Sequence, residues 1–246
     1  MKERIEGQLF IAPTALLRGE PLVPSSKYYT LRYVLAATLT NGESRIHFPA
    51  ESDDSDALFR GCRALGATLA WEDAHTLLIR GVGRPYAKEP VTINVGNAGA
   101  VARLLMGISA TLPDVTFVTD HPQSLGKRPN RELLEALTTL GVICESEHIE
   151  GYLPVTLHGE HIHGGHVTIS GARSSQYISA LLFLAPLLNE GLKITVVDDM
   201  KSQSLLSASL EVLQEAGIVI EHDDTLRHFS IADGQRYLPR NYTIPG

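Results

Sequence analysis

Three stretches of the chain are apolar on nearly every side of a helical wheel: Tyr33 to Leu39, Val101 to Ile108 and Ile178 to Leu188. Helices of that kind belong inside a core. Each is opened by a short polar motif, Ser25-Ser26-Lys27, Gly96-Asn97-Ala98-Gly99 or Ser174-Ser175-Gln176. Each motif follows a β-type run: Pro21 to Pro24, Val91 to Val95 and His166 to Ser170. What comes after is also alike: a strand, an amphipathic helix and a two-stranded hairpin. In the first copy these are Arg45 to Phe48, Asp56 to Leu65, and Thr68 to Trp71 with Thr76 to Arg80. The second copy has Val115 to Thr119, Arg131 to Leu140, Val142 to Glu145 and Pro154 to His158; the third has Lys193 to Val197, Leu205 to Ala216, Ile218 to Glu221 and Arg227 to Ile231. The amphipathic helices end at Gly66, Gly141 and Gly217, 75 and 76 residues apart, where a left-handed C-cap favours glycine.

Fixed-period similarity means units that pack on one another around a shared core. With right-handed crossovers the most apolar helices lie inside and the sheets outside. The expected fold is an α/β inside-out barrel of three βαβαββ repeats (about 21–82, 90–160 and 165–232) with pseudo-threefold symmetry, its helix N-termini gathered at one end. Residues 1–20 read as a lead-in or hinge segment, 21–235 as one domain, and 236–246, with Pro239 and Pro245, as a tail at a domain boundary.

Composition changes this picture little. A formal charge of −7 argues against a general nucleic-acid or anionic-membrane binder, which would present a basic face. Cys62 and Cys144 are too few for a disulfide framework, no apolar run is long enough to span a bilayer, and Met1-Lys2-Glu3-Arg4 leads into no signal-peptide core. A cytoplasmic protein is expected.

Candidate chemistry collects where the helices start. Helix N-termini offer unpaired N–H groups and a positive dipole end, so several converging would hold an anion. Lys27 and Arg32 read either as a phosphate and carboxylate pair or as two solvated charges. The Gly96-Asn97-Ala98-Gly99 turn allows close approach of a ligand to backbone, and Arg103 stands one turn on as a charge that satisfies nearby carbonyls. The basic loop Ser124 to Arg131 precedes a helix in an acidic protein, which favours an anion patch. Ser174-Ser175-Gln176 fits an N-cap or a phosphate-ester site equally. Glu51, Asp53, Asp54 and Asp56 read as a dipole-favoured N-terminal cluster. His158, His161, His163 and His166 lack the ligand spacing of a metal site.

These residues together resemble the EPSP synthase (3-phosphoshikimate 1-carboxyvinyltransferase) family. Val23-Pro24-Ser25-Ser26-Lys27-Tyr28-Tyr29-Thr30-Leu31-Arg32 stands where the family has V-P-G-D-K-S-x-S-x-R, and Ser52-Asp53-Asp54-Ser55 where it has S-D-D-T. Gly96-Asn97-Ala98-Gly99 with Arg103, Lys127-Arg128-Pro129 and Ser174-Ser175-Gln176-Tyr177 resemble its G-N-[AS]-G-T-x-x-R, K-R-P and S-S-Q-[FY], in that order, and the similarity runs from about Ile11 to the end. The family has two similar inside-out domains of three βαβαββ units; this chain is similar to one of them.

The resemblance implies transfer of the enolpyruvyl group of phosphoenolpyruvate to shikimate 3-phosphate by addition and elimination, with no metal or cofactor. It implies that Lys27 meets phosphate and the reacting centre and Arg32 the shikimate carboxylate. By the same carry-over Ser174, Ser175 and Ser202 hold the 3-phosphate, Gln176 lies beside the ring, and Gly96 and Arg128 face phosphoenolpyruvate, with Tyr28 and Asn97 in the same motifs. Departures are Ser26 for Asp, Tyr28 for Ser, Ala100 for Thr and Leu205 for a Tyr. The remaining acid, base and clamp residues belong to the other domain, so the chain alone is expected to bind shikimate 3-phosphate without turnover. Alternatives are another enolpyruvyl transferase with a different acceptor and a non-catalytic anion-binding domain of the same fold.

Overall fold

Apolar helices of the predicted kind do occupy the interior. A computed structural model describes Leu16, Arg18, Gly19 and residues 23–246 of the chain. The first unit contains α1 (Lys27–Thr38), β1 (Glu43–His47), α2 (Asp53–Ala64), β2 (Thr68–Trp71) and β3 (Thr76–Arg80). The second has β4 (Val91–Asn94), α3 (Gly99–Ser109), β5 (Val115–Val118), α4 (Arg131–Thr139), β6 (Ile143–Ser146) and β7 (Val155–His158). The third has β8 (Gly165–Ser170), α5 (Ser175–Leu184), β9 (Leu192–Val197), α6 (Gln203–Glu215), β10 (Glu221–His222) and β11 (His228–Ile231), and a last strand, β12 (Asn241–Thr243), follows.

The second and third sheets have the same order, β4-β5-β7-β6 and β8-β9-β11-β10, with one parallel pair and two antiparallel ones. The first sheet repeats that order with a substitution: β12-β1-β3-β2. The expected strand at 21–24 lies partly outside the described residues, and Val23 and Pro24 are not in a strand. Its place beside β1 is taken by β12, which runs parallel to it with Arg45 opposite Asn241 and His47 opposite Thr243. The segment read as a boundary tail is therefore part of the packed unit. Tyr237, Tyr242 and Ile244 are buried, the Tyr237 hydroxyl donates to the Phe183 carbonyl at 2.7 Å, and Ser26 N–H donates to the Pro245 carbonyl at 2.8 Å.

All of α1 from Thr30 to Thr38 is buried, as are nearly all of α3 and α5, while the sheet strands alternate buried and more exposed positions. Helices α3 and α5 cross closely: a Cβ on Gly107 would lie 2.5 Å from the Ala180 carbonyl oxygen. Two further boundaries differ from expectation for local reasons. Helix α5 ends at Leu184 and continues as a 3-10 turn, Ala185–Leu187, because Pro186 has no N–H to extend the ladder. Strand β10 starts late because the Gln235 side chain takes both backbone groups of Val219, at 2.7 and 2.9 Å.

Candidate functional site

Side-chain contacts join the helix starts in pairs: Arg103 of α3 reaches Gln176 in the first turn of α5, and Arg32 of α1 reaches the Leu205 carbonyl in the first turn of α6. Their chemistry differs. Ser26 and Ser174 cap α1 and α5, accepting from Tyr29 N–H at 3.5 Å and Gln176 N–H at 3.2 Å. The start of α3 has Ala98 at its cap and so no capping side chain, which leaves its first-turn donors available. The α6 cap, Ser202, is exposed, adopts φ 56° in the left-handed region and makes no side-chain cap bond. Beside Ser174, the Ser175 hydroxyl is buried and has no hydrogen-bond partner among the described residues. A buried hydroxyl left unpaired carries a desolvation cost of about 1–3 kcal/mol.

The second cluster sits over the start of α3. Arg128 is exposed, and a Cβ on Gly99 would lie only 3.1 Å from its Nη1 and 3.5 Å from Nη1 of Arg103. Glycine there lets two guanidinium groups close on the helix terminus. Arg60 of α2 approaches the neighbouring turn, within 3.8 Å of a Cβ built on Gly96. The turn is itself braced: Gly96 N–H donates to Asn94 Oδ1 at 2.9 Å, and Thr119 Oγ1 donates to the Gly96 carbonyl at 2.5 Å. Burial lowers the pKa of Arg103, and the nearby Arg128 charge pushes the same way. An anion between these groups would relieve both effects.

Arg103 reaches two other segments at once. It donates to Gln176 Oε1 at 2.5 Å, to Asn130 Oδ1 at 3.3 Å and to the Pro129 carbonyl at 3.2 Å. Its guanidinium lies 5.1 Å from the centroid of the Tyr177 ring, whose hydroxyl donates to the same Pro129 carbonyl at 2.7 Å. Motifs some 25 and 73 residues away from Arg103 thus meet in space.

The Lys27 ammonium is paired with Asp54 of α2 at 2.9 Å and stands 5.6 Å from the centroid of the Tyr28 ring. Lys27 keeps 40% of its side chain exposed, and Tyr28 is 41% exposed, so both face outward at the helix start. Arg32 does not. It is 2% exposed, and its Nε donates to Ser209 at 2.7 Å, with Nη1 and Nη2 donating to the Tyr28 and Leu205 carbonyls at 2.9 Å each. As placed, Arg32 joins α1 to α6 through three of its five N–H donors. The reason is physical: a buried guanidinium is tolerated only when its donors are matched, and α6 supplies two of the three acceptors.

Among the sequence-predicted residues, Gly96, Asn97, Arg128 and Gln176 share the α3 and α5 starts with Ser174 and Ser175. Lys27 and Tyr28 stand beside α2, which also carries Arg60. Arg60 and Asn130 were not singled out by the sequence reading: Arg60 looks like any charge on an amphipathic helix, and Asn130 was lost in a basic loop. Asp54, a dipole charge within the S-D-D-T-like stretch by sequence, is the partner of Lys27. Of the four histidines read against a metal site, three have different polar neighbours: His158 has Asp114 and Glu145, His163 the Gly164 carbonyl and His166 Thr195.

Comparison with known proteins agrees with the motifs. The profile of the family EPSP synthase (3-phosphoshikimate 1-carboxyvinyltransferase) matches residues 11–246. The chain is 46% identical over 241 residues to a 3-phosphoshikimate 1-carboxyvinyltransferase of Deinococcus radiodurans, covering 97% of this chain and 53% of that protein. A protein of the same name from Burkholderia pseudomallei is 35% identical, over 94% of this chain and 51% of its own. Among solved structures, EPSP synthase from Acinetobacter baumannii superposes with a TM-score of 0.80 at 21% identity, covering 92% of this chain and 49% of that one. The enolpyruvyl transferase NikO from Streptomyces tendae follows at 0.63 and 16%, covering 93% and 52%. The chain spans about half the length of the curated relatives it matches.

Proposed function

Because the chain belongs to the EPSP synthase family, we propose that it is the shikimate-binding half of a 3-phosphoshikimate 1-carboxyvinyltransferase of the cytoplasm. The observation that carries this reading is the meeting of the Gly96–Gly99 turn, the Lys127-Arg128-Pro129 loop and the Ser174–Gln176 helix start around Arg103. In this reading Ser174, Ser175 and Ser202 hold the 3-phosphate of the acceptor, and Gln176 and Tyr28 line its ring. Gly96, Asn97 and Arg128 take the phosphate of phosphoenolpyruvate, and Lys27 stands at the reacting centre. Arg32 is left out of the contact set because it is 2% exposed and three of its five donors already hold Tyr28, Leu205 and Ser209.

The proposed reaction joins the acceptor's 5-hydroxyl oxygen to C2 of phosphoenolpyruvate while C3 gains a proton. The resulting tetrahedral species then loses phosphate from C2 and a proton from C3. What this chain contributes is electrostatic: fixed cations and helix-terminal N–H groups stabilise charge at the phosphate and at the developing centre. The proton-transfer groups come from a second, similar domain, so the chain binds shikimate 3-phosphate and does not turn over by itself.

Calorimetric titration of shikimate 3-phosphate into the chain tests the reading. Saturable binding is expected, weakened about 10- to 100-fold by Ser175→Ala or Lys27→Ala, since a hydrogen bond to a charged group is worth about 1.5–3 kcal/mol. Absence of binding by the folded chain, or binding indifferent to both substitutions, rejects the assignment. Phosphate release from the two substrates by the chain alone, abolished by Lys27→Ala, rejects the need for a second domain.

A further inference from the structure

Arg103 itself is 8% exposed and is placed behind the groups assigned to the ligands. A guanidinium has donors and no acceptor, so any amide bonded to it must present its oxygen. Both amides around Arg103 obey: Gln176 offers Oε1 at 2.5 Å and Asn130 offers Oδ1 at 3.3 Å. Their NH2 groups are therefore turned away from it. For Asn130 the other end is bound, Nδ2 donating to the Gly151 carbonyl at 2.8 Å and to the Arg128 carbonyl at 3.3 Å. For Gln176, Nε2 has no protein acceptor among the described residues. The amide is half exposed at the helix start, its oxygen held and its donor free.

We propose that Arg103 is a positioning residue that fixes the Gln176 amide with its N–H donors toward the acceptor ligand. Through Asn130 and Pro129 it also sets the backbone that carries the Arg128 guanidinium. The identity of the ligand rests on the reading above; the orientation of the amide does not. A neutral side chain at position 103 would let the Gln176 amide flip, presenting an oxygen to an anionic or hydroxyl-bearing ligand and losing the donor. Lysine would not span all three acceptors, because its compact ammonium lacks the planar fork that reaches Gln176, Asn130 and Pro129.

The test has two arms on the full chain. In 15N-labelled protein the Gln176 side-chain amide pair is identified by its disappearance in Gln176→Glu. It is expected away from the position of freely rotating glutamine amides in the wild type and at that position in Arg103→Ala. An unchanged pair in folded Arg103→Ala overturns the proposal. In the second arm shikimate 3-phosphate is titrated into Arg103→Ala, Gln176→Ala and the double variant. Each single change is expected to weaken binding at least tenfold, the double variant no more than about the worse single one, and Arg103→Lys less than Arg103→Ala. Losses that multiply in the double variant overturn the coupling. If Arg103→Ala does not fold, Gln176→Glu decides: it retains an oxygen for Arg103, so its thermal midpoint should match or exceed that of the wild type, and a lowered midpoint overturns the contact. If the wild type binds no shikimate 3-phosphate, the functional reading fails, while the amide signature still decides the orientation.

Discussion

Arg32 and Arg103 lie in comparable motif positions and are both buried, yet their partners give them different work. Nothing in the spacing of α1 distinguishes a cation facing a ligand from one locked inside, because the Arg32 partners on α6 are 173 and 177 residues away. The helix start was readable, the fate of each charge on it was not. Buried phenols show the same dependence on distant partners. Burial, reinforced by Glu215, raises the pKa of Tyr33; burial raises that of Tyr237, and pushes Tyr242 up to about 12. A folded-state value above the unfolded value of about 10 gives stability that is complete below pH 10 and is lost as pH rises through the folded values. Tyr237→Phe removes one such group and the hydrogen bond to Phe183. It is expected to cost about 1–3 kcal/mol at pH 7, the carbonyl being left unpaired, and that deficit should shrink above pH 10 in urea titrations run from pH 7 to 11.

At the scale of elements, period and punctuation carried most of the fold. The apolar helices, the amphipathic helices with their glycine ends and the hairpins all appear where the hydrophobic pattern puts them, because each is decided by local burial. Of the misplaced boundaries, the end of α5 is decided locally by Pro186 and the start of β10 by a side chain 16 residues on, Gln235 against Val219. Interhelical spacing is also set remotely: Gly107 of α3 is small because α5 passes over it. Gly107→Ala puts a methyl 2.5 Å from the Ala180 carbonyl oxygen, so the gain in helix propensity is outweighed by overpacking of about 1–3 kcal/mol. Guanidinium denaturation of that variant should show a lower midpoint with an unchanged slope. A midpoint at or above that of the wild type would mean that the two helices separate freely.

Across the whole molecule, the three units were visible as a repeat, but the exchange of β12 into the first sheet was not. Three residues between prolines give no periodic signal, and the pairing partner is nearly 200 residues earlier. Deleting 236–246 exposes the edge of β1 and removes the buried side chains of Tyr237, Tyr242 and Ile244. At about 1.5–3 kcal/mol each, those three alone approach the whole stability of an ordinary domain, so the shortened chain is expected to lose its cooperative thermal transition. Retention of a sharp transition near the full-length midpoint would show that the strand is dispensable. The exchange has a consequence for biosynthesis. Sheets β4-β5-β7-β6 and β8-β9-β11-β10 are built from contiguous sequence and can assemble as the polypeptide leaves the ribosome, whereas the first sheet waits for its last strand. Until Asn241 to Thr243 emerges, the nascent chain lacks the strand that pairs with β1, and the β1 backbone groups that β12 satisfies stay open to other strands.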